Sequence, residues 1–244
     1  NSPGWTHSKV LALFEPDADV AMMLAVAALE VGLSKAPSFS IDEIEEQNWV
    51  QLTQSQFDPI RISERLWIVP SWHQIPDPAA VNLILDPGMA FGTGSHPTTR
   101  LCLEWLEGKV SAQCSLLDYG CGSGILAIAA ARLGAGRVAG VDIDPQAVEA
   151  AYANAERNGV SALFADSAQP VAGEYDLVVA NILSNPLRVL APAICAHVRS
   201  GGQLALSGIL REQAEEIIGI YSAWLPLTVA DTREDWVCLS GIKP

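Results

Sequence analysis

The sequence feature that most constrains the fold is a glycine-rich turn between an apolar segment and an alanine-rich one. Residues 116–130 read "LLDYGCGSGILAIAA", so a strand is predicted to end at Asp118 and a helix to begin at Gly124. Gly120 and Gly122 lie between them, and glycine allows a tight turn and lets a ligand approach the main chain. The pattern predicts a strand, a turn and a helix, with a ligand bound over the turn.

An acidic residue at the end of the next predicted strand narrows the ligand class. Asp142 lies 22 residues beyond Gly120, in "VAGVDIDP", where its carboxylate can accept hydrogen bonds from both hydroxyls of a ribose. The Gly-x-Gly-x-Gly spacing differs from the Gly-x-Gly-x-x-Gly fingerprint that grips a dinucleotide pyrophosphate. S-adenosylmethionine has a ribose but no phosphate, so we expect it as the cofactor of a methyltransferase. The alternative is a nicotinamide-dependent oxidoreductase on a similar sheet. Asp144, before Pro145, is predicted to cap the following helix.

The order of elements predicts an α/β fold. From Val81 onward, strand-like and helix-like segments alternate, which favours a doubly wound, mostly parallel sheet with helices on both faces. Two final strands, near 227–230 and 236–241, follow each other without a helix and should pair antiparallel. The expected fold is that of a class I S-adenosylmethionine-dependent methyltransferase: a Rossmann-like seven-stranded sheet with an antiparallel last strand, preceded by a smaller α+β domain.

The chain is predicted to divide into residues 1–69, a linker at 70–80 and a catalytic domain at 81–244. The linker is placed where three prolines fall between Pro70 and Pro78. Within the first part, a helix is expected from Asp17 to Val31 with Asp17 as its N-cap, and a strand over residues 61–69.

Three further positions are candidates for the site. Asp166 follows a short strand, where it either accepts a hydrogen bond from the adenine amine or is a turn residue. Asn181, in "DLVVANILSNP", ends the strand beside the switch point of the sheet, where a ligand is expected. It can orient an acceptor amine, fix the amino-acid end of the cofactor, or form an Asx turn. His96 precedes Pro97 in a turn, so we expect it to fix the loop and not to act as a general base.

Charge and cysteine content exclude some functions. The chain has 14 basic and 28 acidic residues, a net charge of −14, which would repel nucleic-acid phosphates and suits a basic protein or amine substrate. No apolar run is long enough to span a bilayer, so we expect a soluble, cytoplasmic protein without membrane contacts. The five cysteines are scattered without Cys-x-x-Cys spacing, so neither disulfides nor a metal site are expected.

Longer motifs resemble the PrmA family, the bacterial methyltransferases of ribosomal protein L11. They are "LDPGMAFGTGSHPTT" at 85–99, "NAERNGV" at 154–160 and "ERLWIVPSW" at 64–72. The resemblance implies cofactor contacts at Thr99, Gly120, Asp142 and Asn181, with Phe91 and Thr98 close by.

The resemblance further implies methyl transfer to lysine or N-terminal amines of a large-subunit ribosomal protein, by a monomer. In this family the N-terminal domain would recognise the substrate protein, and in this chain that domain would lack the family's initial strand and helix. Alternatives are methylation of another protein or a small amine, and a non-enzymatic ribosome-assembly module. Methylation of glutamine is a further possibility, and glutamine methylases often carry Asn-Pro-Pro-Tyr after the fourth strand. Residues 181–184 read "NILS" here, which disfavours glutamine methylation.

Overall fold

The computed structural model describes residues 12, 14, 18–33, 35–41, 57–86, 94, 96–166 and 171–244. The chain forms two compact units, Asn1–Ser55 and Gln56–Pro244. The second unit begins earlier than the boundary predicted after Val69. The described residues 57–69 therefore pack with the unit that contains the glycine turn.

In the first unit the described regular element is helix α1, Val20–Glu30. Its N-cap is Asp19, whose side chain accepts a hydrogen bond from the Met22 main-chain N–H at 3.0 Å. The predicted cap, Asp17, lies outside the described residues. The helix begins later than predicted because Asp19 supplies the acceptor that the first turn needs.

The second unit opens with a small three-stranded sheet. Strand β1 is Ile60–Arg61, β2 is Leu66–Val69 and β3 is Val81–Ile84. The strand predicted over 61–69 is thus a hairpin, with β1 antiparallel to β2, and β2 pairs in parallel with β3. The predicted linker at 70–80 joins two strands of one sheet. Since Leu66 and Leu83 are fully buried in the core of this unit, the prolines mark a connection inside it.

A seven-stranded sheet forms the centre of this unit, and helices lie on both of its faces. The strands are β4 Ser115–Tyr119, β5 Arg137–Asp142, β6 Leu163–Asp166, β7 Tyr175–Asn181, β8 Val198–Leu210, β9 Thr228–Arg233 and β10 Trp236–Ile242. The helices are α2 Pro97–Lys109, α3 Ile125–Leu133, α4 Pro145–Arg157, α5 Ser184–Ala196 and α6 Ala214–Tyr221, the last preceded by a 3-10 turn, Arg211–Gln213.

The strand order is β6-β5-β4-β7-β8-β10-β9. Strands β4 to β8 pair in parallel, and β10 pairs antiparallel with both β8 and β9. The predicted fold class is confirmed. The order reverses between β4 and β7, so the crevice for a ligand lies at the carboxyl ends of these two strands.

The core lies on the two faces of this sheet. Successive residues of a strand point to opposite faces, so Leu116 joins the cluster with α2 and α3, whereas Leu117 joins the cluster with α5 and α6. Both leucines are fully buried. Because β4 is covered on both sides, the consecutive residues Leu116 and Leu117 are both apolar, as in a central parallel strand.

Candidate functional site

The glycine turn after β4 is held against the end of β5. The main-chain N–H groups of Gly120 and Cys121 both donate to the Val141 carbonyl, at 2.8 and 2.9 Å. Gly120, Gly122 and Gly124 have φ values of 81°, 52° and 78°. These left-handed conformations are strained for residues with a Cβ, so the turn requires its glycines. The predicted tight turn is confirmed.

Asp142 connects the turn to the end of β5. Its Oδ2 accepts from the Gly122 N–H at 2.8 Å, and its Oδ1 accepts from the Asp144 N–H at 3.0 Å. The side chain is half-buried. Each carboxylate oxygen can accept more than one hydrogen bond, so the carboxylate retains acceptor capacity toward a ligand. Asp144 itself accepts from the Gln146 N–H at 2.9 Å and caps α4, as predicted.

Asp166 lies beside Asp142 at the same edge of the sheet. The two residues are Cα partners in the parallel pair β5–β6, and each is the last residue of its strand. This register brings two residues that are far apart in the sequence to neighbouring positions at the carboxyl edge, where the switch point also lies. Its role toward the adenine stays a prediction.

Asn181 and Thr99 meet across the sheet edge. The Asn181 Nδ2 donates to the Thr99 Oγ1 at 3.3 Å, and Thr99 is buried in the first turn of α2. This hydrogen bond uses the amide nitrogen, so the Asn181 Oδ1 is the atom available to accept from a ligand. Asn181 is half-buried at the end of β7, next to the switch point.

His96 has a structural role in this arrangement. It is the N-cap of α2, and its Nδ1 lies 3.3 Å from the Thr98 main-chain N–H and 2.8 Å from the Thr98 hydroxyl. Its ring also makes an edge contact with Trp236 at a centroid distance of 4.9 Å. Thr98 is buried. The prediction that His96 fixes the loop agrees with these contacts.

Phe91 lies outside the described residues, as do residues 87–93 and 95 of the loop before α2. The predicted contact at Phe91 therefore stays a prediction. The ends of that loop are described. Asp86 accepts from the Ser71 main-chain N–H at 2.7 Å, and a Cβ built on Gly94 would lie 2.0 Å from the Ile68 Cδ1.

Asp118, beneath the glycine turn, is a buried carboxyl with a raised pKa, which the sequence did not predict. It is fully buried beneath the turn, and burial raises the pKa of its carboxyl from the ordinary 3.8 to about 7. The negative charge of Asp142 raises this pKa further, and the Ala127 N–H opposes the shift by donating to its Oδ2 at 3.2 Å. Its Oδ1 has no hydrogen-bond partner. An acidic residue inside an otherwise apolar strand was the available signal.

The five cysteines, all within the described residues, are free thiols. The described part of the chain contains no group of three or more His, Cys, Asp or Glu side chains that could hold a metal ion. Within the same residues, no helix is both long and apolar enough to cross a membrane.

The residues at the carboxyl edge fit a cofactor that has a ribose and no phosphate. Three glycines with positive φ, a half-buried carboxylate and an amide oxygen lie at the switch point of the sheet, and none of these described residues is cationic. Together with the strand order, these features define a class I S-adenosylmethionine-dependent methyltransferase.

Comparisons with known proteins agree. The family model described as ribosomal protein L11 methyltransferase (PrmA) matches residues 1–244. The ribosomal protein L11 methyltransferase of Dechloromonas aromatica (strain RCB) is 80% identical over 244 residues, 100% of this chain and 82% of that protein. Its counterpart in Ralstonia pickettii (strain 12J) is 59% identical over 240 residues, covering 98% of this chain and 80% of the other.

Among solved structures, the ribosomal protein L11 methylase from Lactobacillus delbrueckii subsp. bulgaricus has a TM-score of 0.71 and 34% sequence identity. The match covers 77% of this chain and 99% of that chain. The chain belongs to the ribosomal protein L11 methyltransferase family, and S-adenosylmethionine is its cofactor.

Proposed function

We propose that the protein transfers methyl groups from S-adenosylmethionine to lysine side-chain or N-terminal amines of ribosomal protein L11. The observation that carries this proposal is Asn181, which faces the switch point next to the cofactor turn with its amide oxygen available to accept from an amine. The names of the relatives supply the substrate protein. The net charge of −14 suits a basic partner and disfavours direct contact with nucleic acid.

The proposed cofactor contacts come from the sequence motifs and the family resemblance, and the geometry of the edge supports them at the described residues. Asp142 would accept from the ribose hydroxyls, Gly120 and Gly122 would lie against the cofactor, and Asp166 would lie next to the adenine. Thr99 and Asn181 would border the amino-acid end, with Thr98 and Phe91 nearby. The assignment rests on the hydrogen bonds of Asp142, which orient both of its oxygens at the mouth of the turn.

Bound S-adenosylmethionine supplies an electrophilic methyl group on a sulfonium sulfur. The protein's own contribution is to present a neutral amine in line with that methyl group. A lysine with a pKa of about 10.4 is mostly charged at neutral pH, so the neutral form costs about 4 to 5 kcal/mol. Desolvation at the edge lowers this cost, and Asn181 orients the amine through its Oδ1. No side-chain base is required by this scheme.

The test of the function uses purified ribosomal protein L11 and S-adenosylmethionine labelled in its methyl group. We expect the label on lysine or N-terminal amines of L11, located by mass spectrometry. L11 whose amines have been acetylated is the matched control and should stay unlabelled. Labelling of acetylated L11, or label in a cell extract on other proteins but not on L11, would contradict the proposal.

Asn181→Ala separates two roles of this residue. If Asn181 orients the amine, kcat should fall about tenfold while the Kd of S-adenosylmethionine changes little, because the effect of misorientation falls on the chemical step. Thr99→Val, which removes the hydroxyl that accepts from Asn181, should give a smaller fall in kcat. A large rise in Kd with unchanged kcat would instead assign Asn181 to the amino-acid end of the cofactor.

A further inference from the structure

Ile182, the residue after Asn181, lies between Gly120 in the turn after β4 and Gly208 in β8. A Cβ built on Gly208 would lie 2.2 Å from the Ile182 carbonyl oxygen and 2.7 Å from its carbonyl carbon. A Cβ built on Gly120 would lie 2.3 Å from the Ile182 Cγ2. Ile182 therefore occupies the space that a side chain would fill on either side of it.

The two contacts differ in kind. At Gly120 the close atom belongs to the Ile182 side chain, whereas at Gly208 it belongs to the Ile182 main chain. A side chain can rotate or be truncated, but a peptide group can move only with its neighbours. Any residue with a Cβ at position 208 must therefore displace the peptide group between Ile182 and Leu183, one residue beyond Asn181.

The local topology leaves this peptide little freedom. Strand β7 pairs with β8 as far as Asn181, whose Cα partner is Ser207, and Gly208 is the next residue of β8. Two residues beyond Asn181, Leu183 is already the N-cap of α5. The segment 181–183 thus passes from a strand to a helix, and the carbonyl of Ile182 within it packs against Gly208.

We propose that Gly208 is a positioning residue for Asn181. Without a Cβ it lets the segment 181–183 lie close on β8, which sets where the Asn181 amide stands over the cofactor turn. The Ile182 side chain over Gly120 keeps the same segment in register with that turn. This inference rests on the proposed function, in which Asn181 orients the acceptor amine.

The variant that tests it is Gly208→Ala. We expect kcat for methylation of L11 to fall about tenfold, because a shift of the orienting group of about 1 Å can cost that much or more. The Kd of S-adenosylmethionine, measured by calorimetry, should stay within about twofold, since Gly208 is not part of the cofactor turn. The side-chain amide signals of Asn181 in NMR spectra should shift.

Two glycines provide matched controls. Gly208 has a φ of 82°, and Gly159 has a φ of 63° but nothing within 4 Å of a built Cβ, so Gly159→Ala introduces backbone strain without a clash. Gly241→Ala introduces a main-chain clash, 1.9 Å from the Pro226 oxygen, at a position paired with Leu204. Both controls should keep kcat within about twofold and leave the Asn181 amide signals in place.

If Gly208→Ala does not fold, Ile182→Ala takes its place, because it removes the side chain over Gly120 and loosens the same segment. It should lower kcat with little change in the cofactor Kd. Unchanged kcat and unshifted Asn181 signals in the folded variant would overturn the inference, as would an equal loss of kcat in Gly241→Ala. If the wild type does not methylate L11, the proposed function fails, and the NMR signals still decide the role of Gly208.

Discussion

Asp142→Ala is expected to weaken the binding of S-adenosylmethionine at least about 100-fold, which corresponds to roughly 2.7 kcal/mol. The substitution removes a charged acceptor from the ribose hydroxyls, and hydrogen bonds to charged groups are about twice as strong as neutral ones. It also leaves the N–H groups of Gly122 and Asp144 without the carboxylate that orients them. Both effects act on the cofactor side of the site, and calorimetric titration measures their sum.

Asp144→Ala is the matched control for this variant. It removes a carboxylate two residues away that caps α4 and does not bond to the glycine turn. We expect it to cost about 1 kcal/mol of stability through the lost cap and to leave cofactor affinity nearly unchanged. Wild-type affinity in folded Asp142→Ala would contradict the assignment of Asp142 to the ribose.

The buried carboxyl of Asp118 should make stability fall as the pH rises. In the folded state its pKa is about 7, and in the unfolded chain it returns to about 3.8. Between these values the folded protein holds a proton that the unfolded chain has lost, so folding becomes less favourable with increasing pH. Above about pH 7 the penalty is constant, at about 4 kcal/mol, and below about pH 4 it disappears.

Asp118→Asn removes this penalty. Relative to wild type, the free energy of unfolding of the variant should rise by about 2.5 kcal/mol between about pH 5 and pH 8, measured by urea unfolding at each pH. Any constant cost of the buried amide cancels in this comparison. The range begins above the sequence pI of about 4.5, where the protein is least soluble.

Asp144→Asn is the control for the change in net charge, because asparagine retains the N-cap of α4 while one exposed carboxylate is lost. Its stability should follow the wild-type pH dependence. Parallel pH profiles for Asp118→Asn and wild type would show that the Asp118 carboxyl does not hold its proton in the folded state.

Local patterns were sufficient for the architecture of the larger unit. The alternation of apolar strands and helices predicted the doubly wound sheet, because each element must bury its own apolar face. Positive φ values at Gly120 and Gly122 confirm the turn that their residue type requires. The antiparallel pairing of β9 and β10 was predictable for a similar reason, since two adjacent strands with a short connection pair in that way.

The boundary between the two units could not be predicted from such local patterns. Prolines at 70–80 look alike in a linker and in a loop between two paired strands. The difference lies in burial: Ile62 and Ile68 are each 2% exposed and belong to the same core as Leu101. Such contacts join residues more than thirty positions apart, so they cannot be predicted from the local composition of the segment.

The glycine turn, its acidic partner Asp142 and hence the cofactor class were determined by the sequence alone, because backbone conformation and strand ends depend on near neighbours. The tertiary structure decided how Asn181 is held. Its hydrogen bond to Thr99 spans 82 positions, and the main chain of the next residue, Ile182, packs against Gly208 on another strand. Burial likewise made Asp118 a carboxyl with a pKa of about 7. The pKa of Asp118 and the position of Asn181 both depend on segments that are distant in the sequence. In the folded chain these segments exclude water from Asp118 and restrict the space around Asn181.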